Sequence, residues 1–369
     1  MNIYHLTSAH PRYDSRIFYK MCSSLSLSGY NVSLLVADGL GDSRCKNIDI
    51  IDVGSSHGRV SRIIKSSVQM LFFCIKSKGY IFQLHDPELI PIGLILKACG
   101  KIVIFDSHED YPKQILSKWY LNKRLRFLIS KLYDIFEKQS CKYFDGIITP
   151  TDGLFKKFSQ VHNSVIQIRN YPLYEPLEFE HQVRSDKLVY IGDITDVRGV
   201  LEMVKVLEHL PDDIRLCLIG KFRDPKLEKK ARKMKGWRKV DYLGYVPFEK
   251  AKSQMRTAIA GLVLLHPTAA YTEALPVKLF DYMNMGIPVV ATNIPLWETI
   301  LEEDKCGFTV DPQNTSKIAE IINSLRNDLD LCNQMGKSGN RAIYQKYNWD
   351  SQRVKLLELY RQMSSTLPA

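Results

Sequence analysis

The sequence predicts an α/β protein built from two doubly wound domains, each a parallel sheet with helices on both faces. Three observations carry that reading. The chain has 369 residues, more than one core normally holds at ~150 residues per domain. Short apolar, β-branched runs alternate with segments of helical period, as in parallel sheets. The alternation breaks once, over 170–186, and then restarts.

In the first half the strand candidates are Asn2–Leu6, Val32–Val36, Ile48–Val53, Tyr80–Leu84, Lys101–Phe105, Gly146–Thr149 and Val165–Ile168. Helical patterns fill the intervals at Ser15–Ser28, Arg59–Ser77, Glu88–Ala98, Asn122–Cys141 and Gly153–Ser159. Asn170–Asp186 holds Pro172, Pro176 and four acidic residues without either period, which reads as an interdomain linker. Beyond it, strands are expected at Leu188–Ile191, Arg215–Ile219, Val240–Leu243, Gly261–Leu264 and Pro288–Ala291, and Asn314–Met363 is mainly helical. The domains are expected at 1–170 and 187–348, with a linker at 171–186 and a helix over 349–369 crossing back to the first domain.

Composition is ordinary for a globular chain: 45% hydrophobic, 25% charged, 20 Gly and 16 Pro, which excludes collagen, low-complexity disorder and a coiled-coil rod. The longest apolar runs, Ser67–Ile75 and Ala258–Leu265, fall far short of the ~20 residues a spanning helix needs. Met1–Asn31 lacks a signal-peptide pattern, so a soluble protein is expected. The eight cysteines are scattered without a CxxC pair, and reduced thiols are expected.

The formal charge of +11 is concentrated. Lys113–Lys142 carries eight basic and two acidic residues and Lys221–Lys239 ten and two, leaving 33 basic against 36 acidic elsewhere. In the first patch Leu125, Leu128, Ile129, Leu132, Ile135 and Phe136 recur at helical spacing among Lys123, Arg124, Arg126, Lys131 and Lys138, with Trp119 and Tyr120 ahead of them. Such a face suits an anionic membrane; the alternative is a core helix with a solvated basic back. The second patch (Lys226, Lys229, Lys230, Arg232, Lys233, Lys235) reads as a polar helix face. Neither is interleaved with aromatic residues for base stacking, and no nucleic-acid-binding signature occurs.

Ligands of doubly wound sheets bind outside the carboxyl ends of the strands, so the loops after Leu6, Leu84, Phe105, Ile191, Leu243 and Leu265 are the candidates. Dinucleotide, P-loop, nucleophile-elbow and HExxH motifs are all missing. Asp328-Leu329-Asp330 has the spacing of a metal pair but lies away from those loops. No metal or other cofactor is expected.

The informative stretch is Leu264–Thr292, which runs strand, polar loop, helix, Gly, strand. Pro276 is placed for a first helical turn, and the free N–H groups of that helix start suit a phosphate. Glu273 precedes the helix, while Lys278 and Asp281 lie on it three residues apart. Acid, phosphate-binding helix end, base and acid fit a ligand with hydroxyls at both ends and phosphates between, such as a nucleotide sugar; solvated helix charges are the bland alternative.

This stretch resembles the signature of retaining glycosyltransferases with the GT-B fold, most closely glycosyltransferase family 4. The resemblance implies two Rossmann-like domains facing a cleft. It places Glu273 against the donor sugar and Asp281, an Asp where the family has Glu, on the ribose hydroxyls. Val189–Val200 resembles the family's diphosphate loop, which implies donor contacts at Gly192 and Arg198; Asp193 stands where the family has a first base, and Lys278, Arg12 or Arg16 are the candidates to replace that charge. Leu243–Pro247 resembles the loop whose backbone holds the nucleotide base, implying Tyr245 and Val246, and Ala274, Leu275 and Lys278 complete the donor set.

In the N-terminal half, His10–Arg16 replaces the family's usual Gly-Gly loop and looks like a subgroup associated with bacterial surface polysaccharides. Leu84–Glu88 and Phe105–Pro112 resemble loops on the acceptor side. The acceptor candidates are thus Arg12, Asp14, Arg16, His85, Asp86, His108 and Glu109, with His85 alone equally readable as a structural histidine.

What the resemblance implies is retaining, metal-independent transfer from a nucleotide-diphosphate sugar to a lipid-linked oligosaccharide in O-antigen, capsule or exopolysaccharide synthesis. Glu273, Arg198 and Lys278 are the catalytic candidates. The enzyme would be cytoplasmic, held to the inner face of the cytoplasmic membrane through Trp119, Lys123, Arg124, Arg126 and Lys131. The alternatives are a nucleotide-sugar 2-epimerase and a catalytically silent nucleotide-sugar-binding subunit.

Overall fold

The computed structural model describes residues 1–55, 62–117, 122–179, 184–268 and 271–365. The chain divides into two units: Met1–Asn170 with Trp349–Ala369, and Tyr171–Asn348.

The first unit holds β1 (Asn2–Leu6), β2 (Asn31–Val36), β3 (Ser43–Cys45), β4 (Ile48–Asp52), β5 (Ile81–Leu84), β6 (Ile102–Asp106), β7 (Gly146–Thr149) and β8 (Val165–Gln167). They form one sheet in the order β3-β4-β2-β1-β5-β6-β7-β8. Every pairing is parallel except β3 with β4. The central strands are buried on both faces, which explains their continuous apolar runs. Strand order reverses between β1 and β5, so the carboxyl ends of those two strands frame a topological switch point.

Around this sheet lie a π-helical stretch Ser15–Cys22 continuing into α1 (Ser23–Leu27), another at Arg62–Ser66 continuing into α2 (Ser67–Lys76), and α3 (Ile90–Ala98). Then come α4 (Tyr111–Ser117), α5 (Lys123–Cys141) and α6 (Asp152–Ser159). Asp14 caps the first stretch, its carboxylate accepting from the Arg16 and Ile17 amides, and Asn122 caps α5. Both are standard N-cap chemistry.

The second unit is a six-stranded, wholly parallel sheet. Its strands are β9 (Ser185–Ile191), β10 (Arg215–Ile219), β11 (Val240–Gly244), β12 (Ala258–Val263), β13 (Val289–Thr292) and β14 (Gly307–Val310), ordered β11-β10-β9-β12-β13-β14. Here the switch point lies between β9 and β12. Its helices are α7 (Val200–Val206), α8 (Pro225–Arg232), α9 (Phe248–Arg256), α10 (Val277–Asn284), α11 (Pro295–Glu303), α12 (Thr315–Asn327) and α13 (Leu329–Gln345).

The last helix, α14 (Trp349–Ser365), packs on the first unit. Trp349, Leu356, Leu359, Tyr360 and Met363 join its core, and the Trp349 indole N–H donates to Ser24 Oγ at 2.8 Å.

Several sequence expectations need correction. The hairpin strand β3, the edge strand β14 and the short helix α4 carry no clear period and were not expected. The described part of the segment expected as an interdomain linker belongs to the second unit. Tyr171 is buried in its core, Asn284 receives the Glu175 amide and donates to the Leu173 carbonyl, and β9 already begins at Ser185. Pro276 is the cap of α10 rather than part of its first turn. Asp328 caps α13 by accepting from the Leu331 amide, an ordinary structural role.

Helix α5 departs furthest from the core-helix alternative. Its buried residues are Ser130, Glu137, Ser140 and Cys141, whereas Leu125, Phe127, Leu128, Leu132, Ile135 and Phe136 are exposed. The apolar stripe faces outward because the inner side is polar: Ser130 donates to the Pro112 carbonyl and Glu137 accepts from Lys157 at 2.6 Å. Trp119, also expected on this face, lies outside the described residues. All eight cysteines are free thiols, and no described helix is long and apolar enough to cross a membrane.

Candidate functional site

The donor candidates gather at the carboxyl edge of the second sheet, beside its switch point. Three neighbouring strands, β9, β10 and β11, run out into or end at Gly192, Gly220 and Gly244, all with positive φ. The Gly192 amide donates to Ile219 O at 3.0 Å and the Gly220 amide to Gly244 O at 2.8 Å. A Cβ on Gly220 would stand 1.8 Å from the Gly192 carbonyl oxygen, so only glycine permits this close-laid backbone. The result is an edge without side chains, flanked by the exposed Tyr245.

Two cations converge there. Gly192 leads into the loop carrying Arg198, while α10 brings Lys278. A methyl placed on Gly192 would lie 3.4 Å from Lys278 Nζ and 3.8 Å from Arg198 Nη1. Lys278 Nζ donates to the Tyr190 hydroxyl at 3.0 Å, and Arg198 Nη1 donates to the Asp193 carbonyl at 3.2 Å.

Burial, then repulsion from Arg198, lowers the Lys278 pKa from its usual 10.5 to about 7, against the attraction of Asp281 and Asp193. Arg198 moves the other way: burial pulls it down, but Tyr190, Tyr271 and Asp193 together raise it. A pair of sheltered cations at a side-chain-free backbone edge is an arrangement that a bound polyanion relieves.

Asp193 does not spoil the site. Its carboxylate accepts from Arg223 Nη2 at 2.8 Å, leaving its backbone carbonyl to hold Arg198 and the Tyr190 hydroxyl. Of the three candidates for the missing base, Lys278 is the one beside Gly192. Arg12 is bound to Asp38 through two contacts of 2.6 and 2.7 Å, and Arg16 is bound to Asp106 and the Ile168 carbonyl.

Glu273 lies exposed in the turn before α10, and the neighbouring Ala274 carbonyl is pinned by the Trp297 indole N–H at 2.7 Å. Ala274 and Leu275 continue this turn, Val246 is half-buried after β11, and Asp281 sits one turn beyond Lys278.

The acceptor candidates gather at the other switch point, beyond β1, β5 and β6. Most are engaged internally. Asp86 Oδ2 accepts from the Thr7 hydroxyl and the Ser8 and Ala9 amides at 2.6–3.2 Å, which anchors the loop after β1. Asp14 is a helix cap held well below the usual carboxylate range; burial opposes this, while His10 and the Ile17 and Arg16 amides outweigh it. His85 is buried, His108 half-buried and Glu109 exposed. Sequence reasoning missed His5, which contacts His85 here, and did not single out Asp106, which also contacts His85, or Tyr190, which supports Lys278, within the stretches Phe105–Pro112 and Val189–Val200. Each is a strand residue in an apolar run, and a polar side chain in such a run was the only signal.

Two Rossmann-like α/β units with parallel sheets place the chain in the GT-B class of fold. Within the second unit, residues 177–342 match the family described as glycosyl transferases group 1. An uncharacterized glycosyltransferase of Methanocaldococcus jannaschii is 21% identical over 85% of this chain and 76% of its own length. Sucrose synthase 6 of rice (Oryza sativa subsp. japonica) is 24% identical over 48% of this chain, which spans only 23% of that protein.

Among solved structures, Anabaena HepE in complex with UDP-glucose has a TM-score of 0.73 at 13% identity, covering 98% of this chain and 100% of its own. WaaG, a glycosyltransferase involved in lipopolysaccharide biosynthesis, has 0.71 at 15%, covering 97% and 99%. WaaG of Escherichia coli also aligns in sequence, at 22% over 46% of this chain and 48% of its own.

Proposed function

We propose that the protein transfers a sugar from a nucleoside-diphosphate sugar to a lipid-linked oligosaccharide, with retention of anomeric configuration and with no metal at the donor. The observation that carries the reading is the convergence of Lys278 and Arg198 on Gly192, two sheltered basic side chains placed to hold a diphosphate. As the glycosidic bond breaks, negative charge grows on the diphosphate. Arg198, Lys278 and the first backbone amides of α10 stabilise it, as preorganised donors stabilise an oxyanion. A leaving-phosphate oxygen then takes the acceptor proton, so the protein supplies no general base. Glu273 positions the sugar and Asp281 the ribose. The UDP-glucose bound by the HepE neighbour supports a nucleotide sugar as donor.

The acceptor half of the reading rests on α5. An exposed apolar stripe flanked by Lys123, Arg124 and Lys131 has the chemistry of an interfacial helix on an anionic bilayer, where a lipid-linked acceptor resides. The involvement of the WaaG neighbour in lipopolysaccharide biosynthesis supports the same reading, surface-polysaccharide synthesis in the cytoplasm at the inner membrane face.

The test is calorimetric binding of UDP, GDP, dTDP and ADP against the corresponding nucleosides, followed by turnover of the matching sugar donor with and without extracted lipid-linked acceptor. Diphosphate-dependent binding with acceptor-dependent release of nucleotide is the expected result. Isomerised donor without acceptor would mark an epimerase instead, and binding without turnover a silent subunit.

A further inference from the structure

We infer that His85, Asp106 and His108 form a binding site for a divalent transition metal, Zn²⁺ first among them, in the first unit. His85 follows β5, Asp106 ends β6, and His108 stands two residues beyond it. The topology brings three ligand atoms into mutual contact. His85 Nδ1 lies 3.2 Å from Asp106 Oδ2 and 3.2 Å from His108 Nε2, and His108 Nε2 lies 2.9 Å from Asp106 Oδ2. Ligands bonded to one zinc at about 2.0–2.2 Å stand roughly 3.3 Å apart at the tetrahedral angle.

Protons alone do not satisfy this triangle. Each imidazole nitrogen holds one proton or one lone pair, and a carboxylate oxygen offers about two acceptor directions. Arg16 Nε takes one direction of Asp106 Oδ2 at 3.1 Å, and Arg16 Nη2 holds Oδ1 at 2.8 Å. One direction remains for two imidazoles. If both nitrogens carry protons, the His85–His108 contact is donor against donor. If only one does, at least one remaining contact sets lone pair against lone pair. A cation shared by all three removes the conflict, and Arg16 stays on the carboxylate's outer side.

The residues behind His85 select its ligand form independently. Tyr360 has a single hydroxyl proton, and its 2.5 Å contact with Gln83 Oε1 uses it. The Tyr360 oxygen is then an acceptor toward His5 Nε2 at 3.4 Å, which places the His5 proton on Nε2. His5 Nδ1 is left as an acceptor for His85 Nε2 at 2.9 Å. His85 therefore carries its proton on Nε2 and aims a bare Nδ1 at Asp106 and His108. A metal-bound histidine that donates its other N–H to a fixed partner is the usual supporting arrangement. The buried Asp86 adds a negative field at His85, offsetting part of the cation's charge.

All three ligands belong to the first unit, and none of them is a donor-site residue. The full-length protein, stripped with chelator, is titrated with Zn²⁺ by calorimetry and with Co²⁺ by visible absorption. The expected result is one metal per chain, with the intense visible bands of four-coordinate Co²⁺ and no thiolate charge-transfer band. The His108→Ala variant should bind at least tenfold more weakly, the scale on which even supporting residues act. If that variant does not fold, the wild-type spectrum decides alone. A wild-type chain that takes up no metal, a thiolate band showing cysteine ligation, or a folded His108→Ala variant with unchanged affinity would each overturn the assignment.

Discussion

Lys278 Nζ stands 4.2 Å from the centroid of the Tyr190 ring while donating to that residue's hydroxyl. Tyr190 gives its own proton to the Asp193 carbonyl at 2.7 Å, so its oxygen accepts from the lysine. A ring face and a neutral oxygen steady an ammonium group without cancelling its charge. The charge thus stays available to a ligand, at the cost of a lowered pKa.

That cost gives a signed pH dependence. With a pKa of about 7 against 10.5 in the unfolded chain, Lys278 is increasingly neutral in the free protein as pH rises above 7. A diphosphate favours the charged form, so UDP binding should take up a proton above pH 7 and weaken as pH rises. Calorimetry in buffers of different ionisation heat measures both effects. Lys278→Met should weaken UDP binding roughly 10–100-fold, the loss of about 1.5–3 kcal/mol for a hydrogen bond to a charged group.

The same variant should be more stable than the wild type without ligand. The unfolded chain holds the Lys278 proton between pH 7 and 10.5 and the folded chain does not, so wild-type stability rises with pH through that window. The advantage of Lys278→Met is therefore largest below pH 7 and shrinks above it. Thermal melts at pH 6 and pH 9 that show an equal difference would remove Lys278 from this account.

Glu273 allows a cleaner separation of chemistry from folding. It is exposed in a turn whose position is set by the Trp297–Ala274 bond, and exposed substitutions typically change stability by less than about 0.5 kcal/mol. Glu273→Ala should keep the wild-type melting curve while the transfer rate falls by roughly 10²–10³, the scale for removing one group that acts on the transition state. Normal nucleotide release by the variant would take Glu273 out of the mechanism.

How far the site was legible follows from how local each signal is. Gly192, Arg198, Glu273, Lys278 and Asp281 lie in two continuous stretches, each a strand, a loop and a helix start, so reading along the chain picks them out as candidates. Whether Asp193 opposes the phosphate was not legible, because its partner Arg223 stands 30 residues away across a strand end. The set of His5, His85, Asp106 and His108 was hidden for the same reason: parallel pairing of β1, β5 and β6 brings together residues that are 80 and 21 apart in sequence. Strand period was read well where strands are central and apolar. It failed at two of the four edge strands, the short β3 and β14, and succeeded at the other two, β8 and β11. The amphipathic period of α5 was visible, but which face is buried depends on Glu137 and Ser130 finding partners on other segments.

Glu137 is itself a test of the fold. It is 1% exposed and bonded to Lys157 Nζ, which also approaches Asp134 at 3.2 Å. Lys157→Met should destabilise the protein by about 3–5 kcal/mol, since it leaves a buried carboxylate unpaired. Adding Glu137→Gln should restore most of the loss, because the amide needs no counter-charge. Chemical denaturation of the double variant and of each single variant, Glu137→Gln included, measures the coupling, and additive effects would show that the pair does not act as a unit.

Helix α5 makes the last prediction, because its outward face is apolar without being part of the core. Leu128 is 53% and Leu132 58% exposed, so replacing both by Ser removes little packing and should leave the melting temperature unchanged. On an anionic bilayer those side chains insert while Lys123, Arg124 and Lys131 face the headgroups, each contributing roughly 1 kcal/mol. Replacing the three cations by Ser should therefore weaken sedimentation with phosphatidylserine vesicles about 100-fold. Arg126 is left in place because its guanidinium already donates to the Leu116 carbonyl. Wild-type binding should also fall as salt rises, since exposed charges are screened over a Debye length of about 8 Å at physiological ionic strength. Equal sedimentation of all variants at every salt concentration would mean that the stripe serves some other contact.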